Sequence, residues 1–236
     1  MHTCCAPCSV YCIDSLRAEG IEPTLFWYNP NIHPYIEYKT RRDCLKTYAA
    51  SIDVKLIIDE EYGLDEFCRN VVSDIENRCV NYCYRKRLTE TVRYAAKHGY
   101  DAFTTTLLVS PYQKHEELVK VCEDLAALSG VKFLYRDFRV GFREGQAKAR
   151  DLGLYMQKYC GCIFSEEDRY RKAIQRELRQ CFEGLSEVAT DHGRSRAYGK
   201  LAFRIEATPS GRRLVENEGA SPVKTGASDP SPRNTV

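Results

Sequence analysis

The sequence predicts an α/β fold in which a parallel sheet carries helices on both faces, and two observations predict it. Short apolar runs rich in β-branched and aromatic residues alternate along the chain with helical patterns. The motif-bearing segments fall after predicted strands or at the start of predicted helices, which is the edge of such a sheet where ligands gather.

Taken in order, residues 7–19 read as a helix, with Pro7 suited to its first turn and Gly20 to its end. Residues 24–28 have strand character, and residues 54–58 form the next strand after a helical stretch. A helix at 78–97 precedes a strand at 102–107, and a helix at 115–128 precedes a strand at 131–135. A strand is expected ahead of Cys4, yet three residues precede it, so this part of the sheet is expected to be cut short or missing. From about residue 186 the pattern breaks down. The chain therefore divides into a metal-binding catalytic domain, 1–185, and a poorly structured tail, 186–236, whose last part, 221–236, is rich in Pro, Ser, Thr, Gly and Asn.

The chain has 236 residues, 43% hydrophobic and 29% charged, enough for one well-packed core. No stretch approaches the roughly 20 apolar residues of a membrane span, and the start lacks the pattern of a signal peptide. A cytoplasmic, soluble protein without a membrane partner is expected. A formal net charge of +2 leaves the partner open, because phosphate binding needs a local basic surface. Neither a G-x-x-x-x-G-K-[ST] loop nor a dinucleotide fingerprint follows a predicted strand, so no bound NAD or ATP is expected.

Twelve cysteines in a reducing compartment point to metal or redox chemistry rather than disulfides. Seven of them fall into three clusters: Cys4, Cys5 and Cys8; Cys79 and Cys83; Cys160 and Cys162. Cys79 and Cys83, four apart on a helix, share a face, and Gly161 permits a tight bend between two thiolates. A helix N-terminus near Cys8 favours thiolate over thiol. One zinc or one cluster takes four thiolates, so the surplus suggests two metal centres. Neighbours in an extended chain point to opposite sides, so Cys4 and Cys5 are expected to serve different centres. Cys12, Cys44, Cys68, Cys122 and Cys181 are scattered through helical stretches and are expected to pack as small hydrophobes.

These motifs carry a resemblance. His2-Thr3-Cys4-Cys5-Ala6-Pro7-Cys8, Tyr28-Asn29-Pro30-Asn31-Ile32-His33-Pro34, the run from Asp101 to Tyr112 and Tyr159-Cys160-Gly161-Cys162 resemble, in this order, the epoxyqueuosine reductase family QueH. The resemblance implies a Rossmann-like (HUP-type) fold and the last step of queuosine synthesis, deoxygenation of an epoxide on the wobble base of tRNA. It implies a 4Fe-4S cluster beside a second, mononuclear iron, with no cobalamin. By this resemblance Cys4, Cys79, Cys83 and one of the pair Cys160 and Cys162, taken here as Cys162, bind the cluster. Cys5, Cys8 and the remaining thiolate hold the second iron. The family usually spaces the middle pair by two residues, where this chain has three.

Breaking both carbon–oxygen bonds takes two electrons, from an external donor of the ferredoxin or flavodoxin type, and two protons. Tyr112, His115, His33 and Tyr159 are the candidate proton donors, each in or beside a matched motif. Asn29 and Asn31 suit either base recognition or turn chemistry, and Thr104, Thr105 and Thr106 suit a strand by propensity alone. The runs at 39–42, 85–87 and 169–179 are candidate tRNA phosphate contacts or solvated helix faces. Two other readings remain open: an iron–sulfur thiol or disulfide oxidoreductase, and a zinc-stabilised RNA-binding module.

Overall fold

The computed structural model describes residues 1–190, 203–208 and 211–216, and the chain falls into two units, Met1–Gln175 and Arg176–Val236. The first unit is a helix-rich α/β structure with small parallel sheets. Its elements run α1 (Ala6–Ala18), β1 (Leu25–Trp27), α2 (Tyr35–Ser51), β2 (Leu56–Ile58) and α3 (Leu64–Val71). A π-helical turn, Cys79–Tyr84, leads into α4 (Arg85–Lys97), followed by β3 (Ala102–Phe103), a 3-10 turn (Thr106–Val109), α5 (His115–Ser129) and β4 (Lys132–Phe133). A 3-10 turn at Phe138–Gly141 and α6 (Phe142–Asp151) precede α7 (Ile163–Thr190).

The strands pair in parallel. β1 lies against β2 in the register Leu25 to Leu56, and β3 against β4 in the register Ala102 to Lys132. What joins the two pairs is the start of the chain. His2 bridges in parallel to Phe26 on one side and to Thr105 on the other. Four backbone hydrogen bonds fix it: His2 N–H to Thr104 O, Thr106 N–H to His2 O, Thr3 N–H to Phe26 O and Phe26 N–H to Met1 O, all 2.8–2.9 Å. The order is β2, β1, residues 1–3, β3, β4. This corrects the expectation of a missing first strand: residues 1–3 take that place, between strands that are themselves only two or three residues long.

Local chemistry explains the element ends. Helix α1 starts with Pro7 in its first turn, where a missing N–H costs nothing. Helix α5 carries Glu116 and Glu117 in its first turn and stops at Gly130, whose φ of 74° is left-handed. The predicted strand at 102–107 is shorter than expected. Thr105 turns the chain by accepting the Leu107 N–H on its hydroxyl, and the 3-10 turn begins there.

Buried side chains form three clusters. Helix α1 is shared between two of them, with Cys8, Cys12 and Leu16 toward β3 and Val10 and Ile13 toward β1. It also packs against the start of α6 across two glycines. A Cβ on Gly141 would lie 2.0 Å from the Tyr11 ring, and one on Gly145 would lie 2.9 Å from Tyr11 Cβ. Gly141→Ala is therefore expected to destabilise the protein by about 1–3 kcal/mol, the usual cost of overpacking. Urea unfolding checks this, and an unchanged midpoint would mean that Tyr11 swings aside freely.

In the second unit β5 (Phe203–Thr208) and β6 (Gly211–Glu216) pair as an antiparallel hairpin. The segment expected as a tail thus includes the end of α7 and this hairpin, while residues 221–236 lie outside the described residues. Among the described residues no helix is long and apolar enough to cross a membrane.

Candidate metal centre

Parallel strands direct their carboxyl ends to one edge, and there Cys4, Asn29 and Thr105 meet. The His2 ring is completely buried, with Nδ1 2.9 Å from Thr105 Oγ1 and Nε2 3.3 Å from Asn29 Oδ1. The Asn29 amide donates to Thr3 O at 3.0 Å. Asn29 is therefore committed to holding the cysteine loop, and the base-reading alternative for it is corrected. Thr106 is equally engaged: its hydroxyl accepts the Cys4 N–H at 3.2 Å and donates to Cys4 Sγ at 3.5 Å. These threonines do more than satisfy strand propensity.

Cys5 caps α1 in an extended conformation and Cys8 lies in the first turn, so the three sulfurs converge within 4.8 Å of one another. Cys4 Sγ and Cys5 Sγ are 3.8 Å apart. The expectation that they point to opposite sides fails because the chain bends at Cys4, ahead of the helix. Thiolates bound at about 2.3 Å to one tetrahedral metal stand about 3.8 Å apart, so the observed sulfurs fit a shared metal centre. Hydrogen bonds from the Cys5 and Cys8 thiols hold Cys4 well below the usual thiol pKa. Burial pushes Cys5 up, and the bond to Cys4 pushes Cys8 up. Gln157 Nε2 donates to Cys8 Sγ at 3.3 Å, capping the group from the loop before α7.

The second pair sits in the π-helical turn rather than in a regular α-helix. Such a turn closes its hydrogen bond one residue later than an α turn and often marks a functional site. It absorbs the three-residue gap between Cys79 and Cys83. The neighbouring Cys83 thiol and the nearby charges of Arg78, Arg87 and Lys114 hold Cys79 down at about 6. Cys83 is pushed up by the neighbouring Cys79 and by burial. Cys162 joins Cys83 in one buried cluster with Phe67 and Val71. Cys160 is exposed, and its Sγ accepts from Gln113 Nε2 at 3.4 Å.

Arg41 sets the third cluster in place. Its guanidinium is buried, paired with Glu37 at 2.7 Å, and donates to Cys160 O at 2.7 Å and Tyr159 O at 2.9 Å. Tyr159 in turn donates its hydroxyl to His33 O, and His33 N–H donates to Gly161 O. The loop carrying Cys160 and Cys162 is thereby tied to the turn after β1.

The profile of the family described as Epoxyqueuosine reductase QueH matches residues 1–168. The chain is 38% identical over 172 residues to the Epoxyqueuosine reductase QueH of Dehalococcoides mccartyi, covering 73% of this chain and 94% of that protein. It is 32% identical over 185 residues to the protein of that name in Thermotoga maritima, covering 73% and 92%. The chain belongs to the epoxyqueuosine reductase QueH family.

Within this QueH protein the four candidate proton donors are spread out. Tyr112 is 86% exposed and meets Phe142 edge-on. His115 Nε2 lies 3.2 Å from Tyr135 Oη at the surface. The Tyr159 hydroxyl is occupied by His33 O. His33 is buried against Phe67 and Tyr62, with Nε2 3.1 Å from Pro30 O, and its Nδ1 has no partner among the described residues. Sulfur is contacted instead by Thr106, Gln113 and Gln157. Motif reading misses these two glutamines, whose only signal is their place beside a cluster, and misses Arg41, whose signal is Glu37 four residues earlier. Asn31 is buried with its Oδ1 unpartnered among the described residues.

Two members of the basic runs depart from both readings, while Lys39, Arg85, Arg169 and Lys172 are exposed. Arg41 and Arg87 are buried and unavailable to phosphate, while Arg42, Lys86 and Arg171 pair with acidic side chains. Of the scattered cysteines, Cys12 and Cys122 are fully buried, Cys44 and Cys68 half-buried, and Cys181 exposed.

Burial lowers the His33 pKa to about 4. An unfolded histidine takes its proton near about 6.5, so this ring contributes stability above that pH that is lost as the pH falls toward about 4. Stability is expected to drop by about 2 kcal/mol between about pH 7 and about pH 5 from this residue. His33→Phe, which keeps an aromatic ring against Phe67, should flatten the slope in urea titrations. An unchanged slope would assign it to other groups.

Proposed function

We propose that the chain is an epoxyqueuosine reductase that deoxygenates epoxyqueuosine at the wobble position of tRNA to queuosine, the last step of queuosine biosynthesis. The single observation that carries this is that cysteine motifs far apart in sequence converge in two thiol groups within the span matched by the family. The fold we assign to it is Rossmann-like and HUP-type. Numbered along the chain, its five parallel segments run 3-2-1-4-5, the order that opens the doubly wound sheets.

The donor set suits iron and sulfide. Thiols without a carboxylate among them favour soft, thiolate-loving centres; five of the seven are buried, and seven exceed the four that one cluster takes. Cys4, Cys5, Cys8, Cys79, Cys83, Cys160 and Cys162 are the proposed ligands of a 4Fe-4S cluster and an adjacent iron. When bound, these groups supply single electrons and a Lewis-acidic position for the epoxide oxygen.

The remaining chemistry belongs to the chain. Conversion of the epoxide to an alkene and water consumes two electrons, from a ferredoxin or flavodoxin type of donor, and two protons. Gln113 touches Cys160, so Tyr112 on the same loop and His115 at the start of α5 border the site and open to solvent. We assign proton delivery to this stretch. His33 and Tyr159, both committed to backbone carbonyls, hold the Cys160–Cys162 loop in place. The tRNA is the proposed macromolecular partner, and the cytoplasm the proposed site of action.

The test is iron, zinc and acid-labile sulfide per chain after anaerobic reconstitution, followed by turnover of tRNA bearing epoxyqueuosine with nucleoside analysis. About five iron to four sulfide is expected for a four-iron cluster plus one iron, together with queuosine formation. Zinc near one per chain without sulfide would overturn the reductase reading in favour of a zinc-stabilised RNA-binding module. Iron and sulfide without turnover would favour a thiol or disulfide oxidoreductase.

A further inference from the structure

Two arginines are buried in the first unit, and they are treated differently. Arg41 has a carboxylate partner, Glu37, and two carbonyls. Arg87 is 3% exposed, and its one hydrogen bond among the described residues runs from Nε to Cys83 O at 2.9 Å. No carboxylate pairs with Arg87 among the described residues. An arginine stays protonated in a protein, and a buried charge without a counter-charge is strongly unfavourable.

Arg87 is one helical turn beyond Cys83, at the entry to α4, with its Nε on the Cys83 carbonyl. Its charge acts on Cys79, Cys83 and Cys160, and it helps to keep the buried His2 ring neutral. Arg78, at the other end of the π turn, is paired with Asp168. The negative charge that faces Arg87 is therefore the thiolate charge of the site itself.

We propose that Arg87 is the built-in counter-ion of the cysteine-bound metal centre, a positioning residue whose fixed charge makes that centre easier to reduce. The inference rests on the iron–sulfur reading above. Metal-bound thiolates stay ionised, and a cluster gains one further negative charge on each one-electron reduction. A cation held beside it in a low-dielectric setting favours the reduced state, since net charge and hydrogen bonding to sulfur set cluster potentials. A fixed arginine supplies this without taking up or releasing a proton.

The experiment compares reconstituted wild-type protein with Arg87→Lys and Arg87→Met, reading iron and sulfide content, thermal unfolding and midpoint potential in an optical redox titration. The expected result is a shift of the midpoint to more negative potential in Arg87→Met and a value near wild type in Arg87→Lys. Equal midpoints in wild type and Arg87→Met, with the cluster retained, would overturn the proposal. So would a lysine variant as displaced as the methionine variant, since that result assigns the effect to the Cys83 carbonyl bond. Should Arg87→Met fail to fold, Arg87→Gln takes its place, since it removes the charge while keeping a polar donor, and the same shift to more negative potential is expected. Absence of iron and sulfide from wild type would instead count against the metal reading itself.

Discussion

Replacing Cys4 with alanine is expected to abolish turnover of epoxyqueuosine and to strip iron and sulfide from the reconstituted protein. Cys4 is the sulfur around which the first group is organised. It is 3.8 Å from Cys5, receives the Thr106 hydroxyl, and has its backbone N–H held by that same hydroxyl. The loop has no slack to bring in another donor, because His2, two residues earlier, is pinned between two strands. Even the outer partners of metal ligands cost about 10- to 100-fold when removed, so loss of a ligand at the centre of the group should exceed about 100-fold. Cys12→Ala is the matched control. Cys12 lies on the neighbouring helix α1, is fully buried, and donates only to Cys8 O, so its variant should keep both metal and turnover. A Cys4→Ala protein with wild-type iron and activity would show that the chemistry lies elsewhere.

The sequence reveals the parts of this site that depend on residue type and hides those that depend on encounter. The three cysteine clusters are legible because thiols in short spacings are rare without a ligand to share. The strands around Phe26, Ile57 and Phe133 are legible from their apolar character. The role of residues 1–3 is not: a segment this short has no periodicity, and its strand nature exists only through pairing with Phe26 and Thr105. Thr106 reads as an ordinary strand residue until the fold sets its hydroxyl against Cys4. The convergence of Cys4 and Cys5 depends on where the chain bends into α1, which alternation along an extended strand cannot supply. The π turn at Cys79 shows the same limit, because a local pattern reports a helical face but not the number of residues in the turn. Arg41 and Arg87 mislead most, since a basic run suggests solvent and both side chains are buried.

Arg41 yields the second large effect. Its side chain is 1% exposed and that of Glu37 10% exposed, so the pair is screened by protein rather than by water. Arg41→Ala leaves Glu37 with only the Tyr155 hydroxyl and leaves the Tyr159 and Cys160 carbonyls without their donor. Removing one partner of a buried ion pair typically costs about 3–5 kcal/mol, which is a large part of the stability of a domain of this size. Much of that cost falls on one loop, because α2 is anchored independently through Tyr38, Leu45 and Tyr48 in the core. The expected result is therefore a folded protein with a lowered unfolding midpoint and a loosened Tyr159–Cys162 segment, seen as faster amide exchange there than in α2. Its metal content should fall with that loosening, since Cys162 reaches Cys83 only while the segment is held. Arg41→Lys should recover little, because a single ammonium cannot span Glu37 and two carbonyls in the planar fork that the guanidinium provides. Protection lost evenly across α2 and the sheet would show that Arg41 serves the whole core, whereas loss confined to residues 159–162 would identify it as the clamp on the third cysteine cluster.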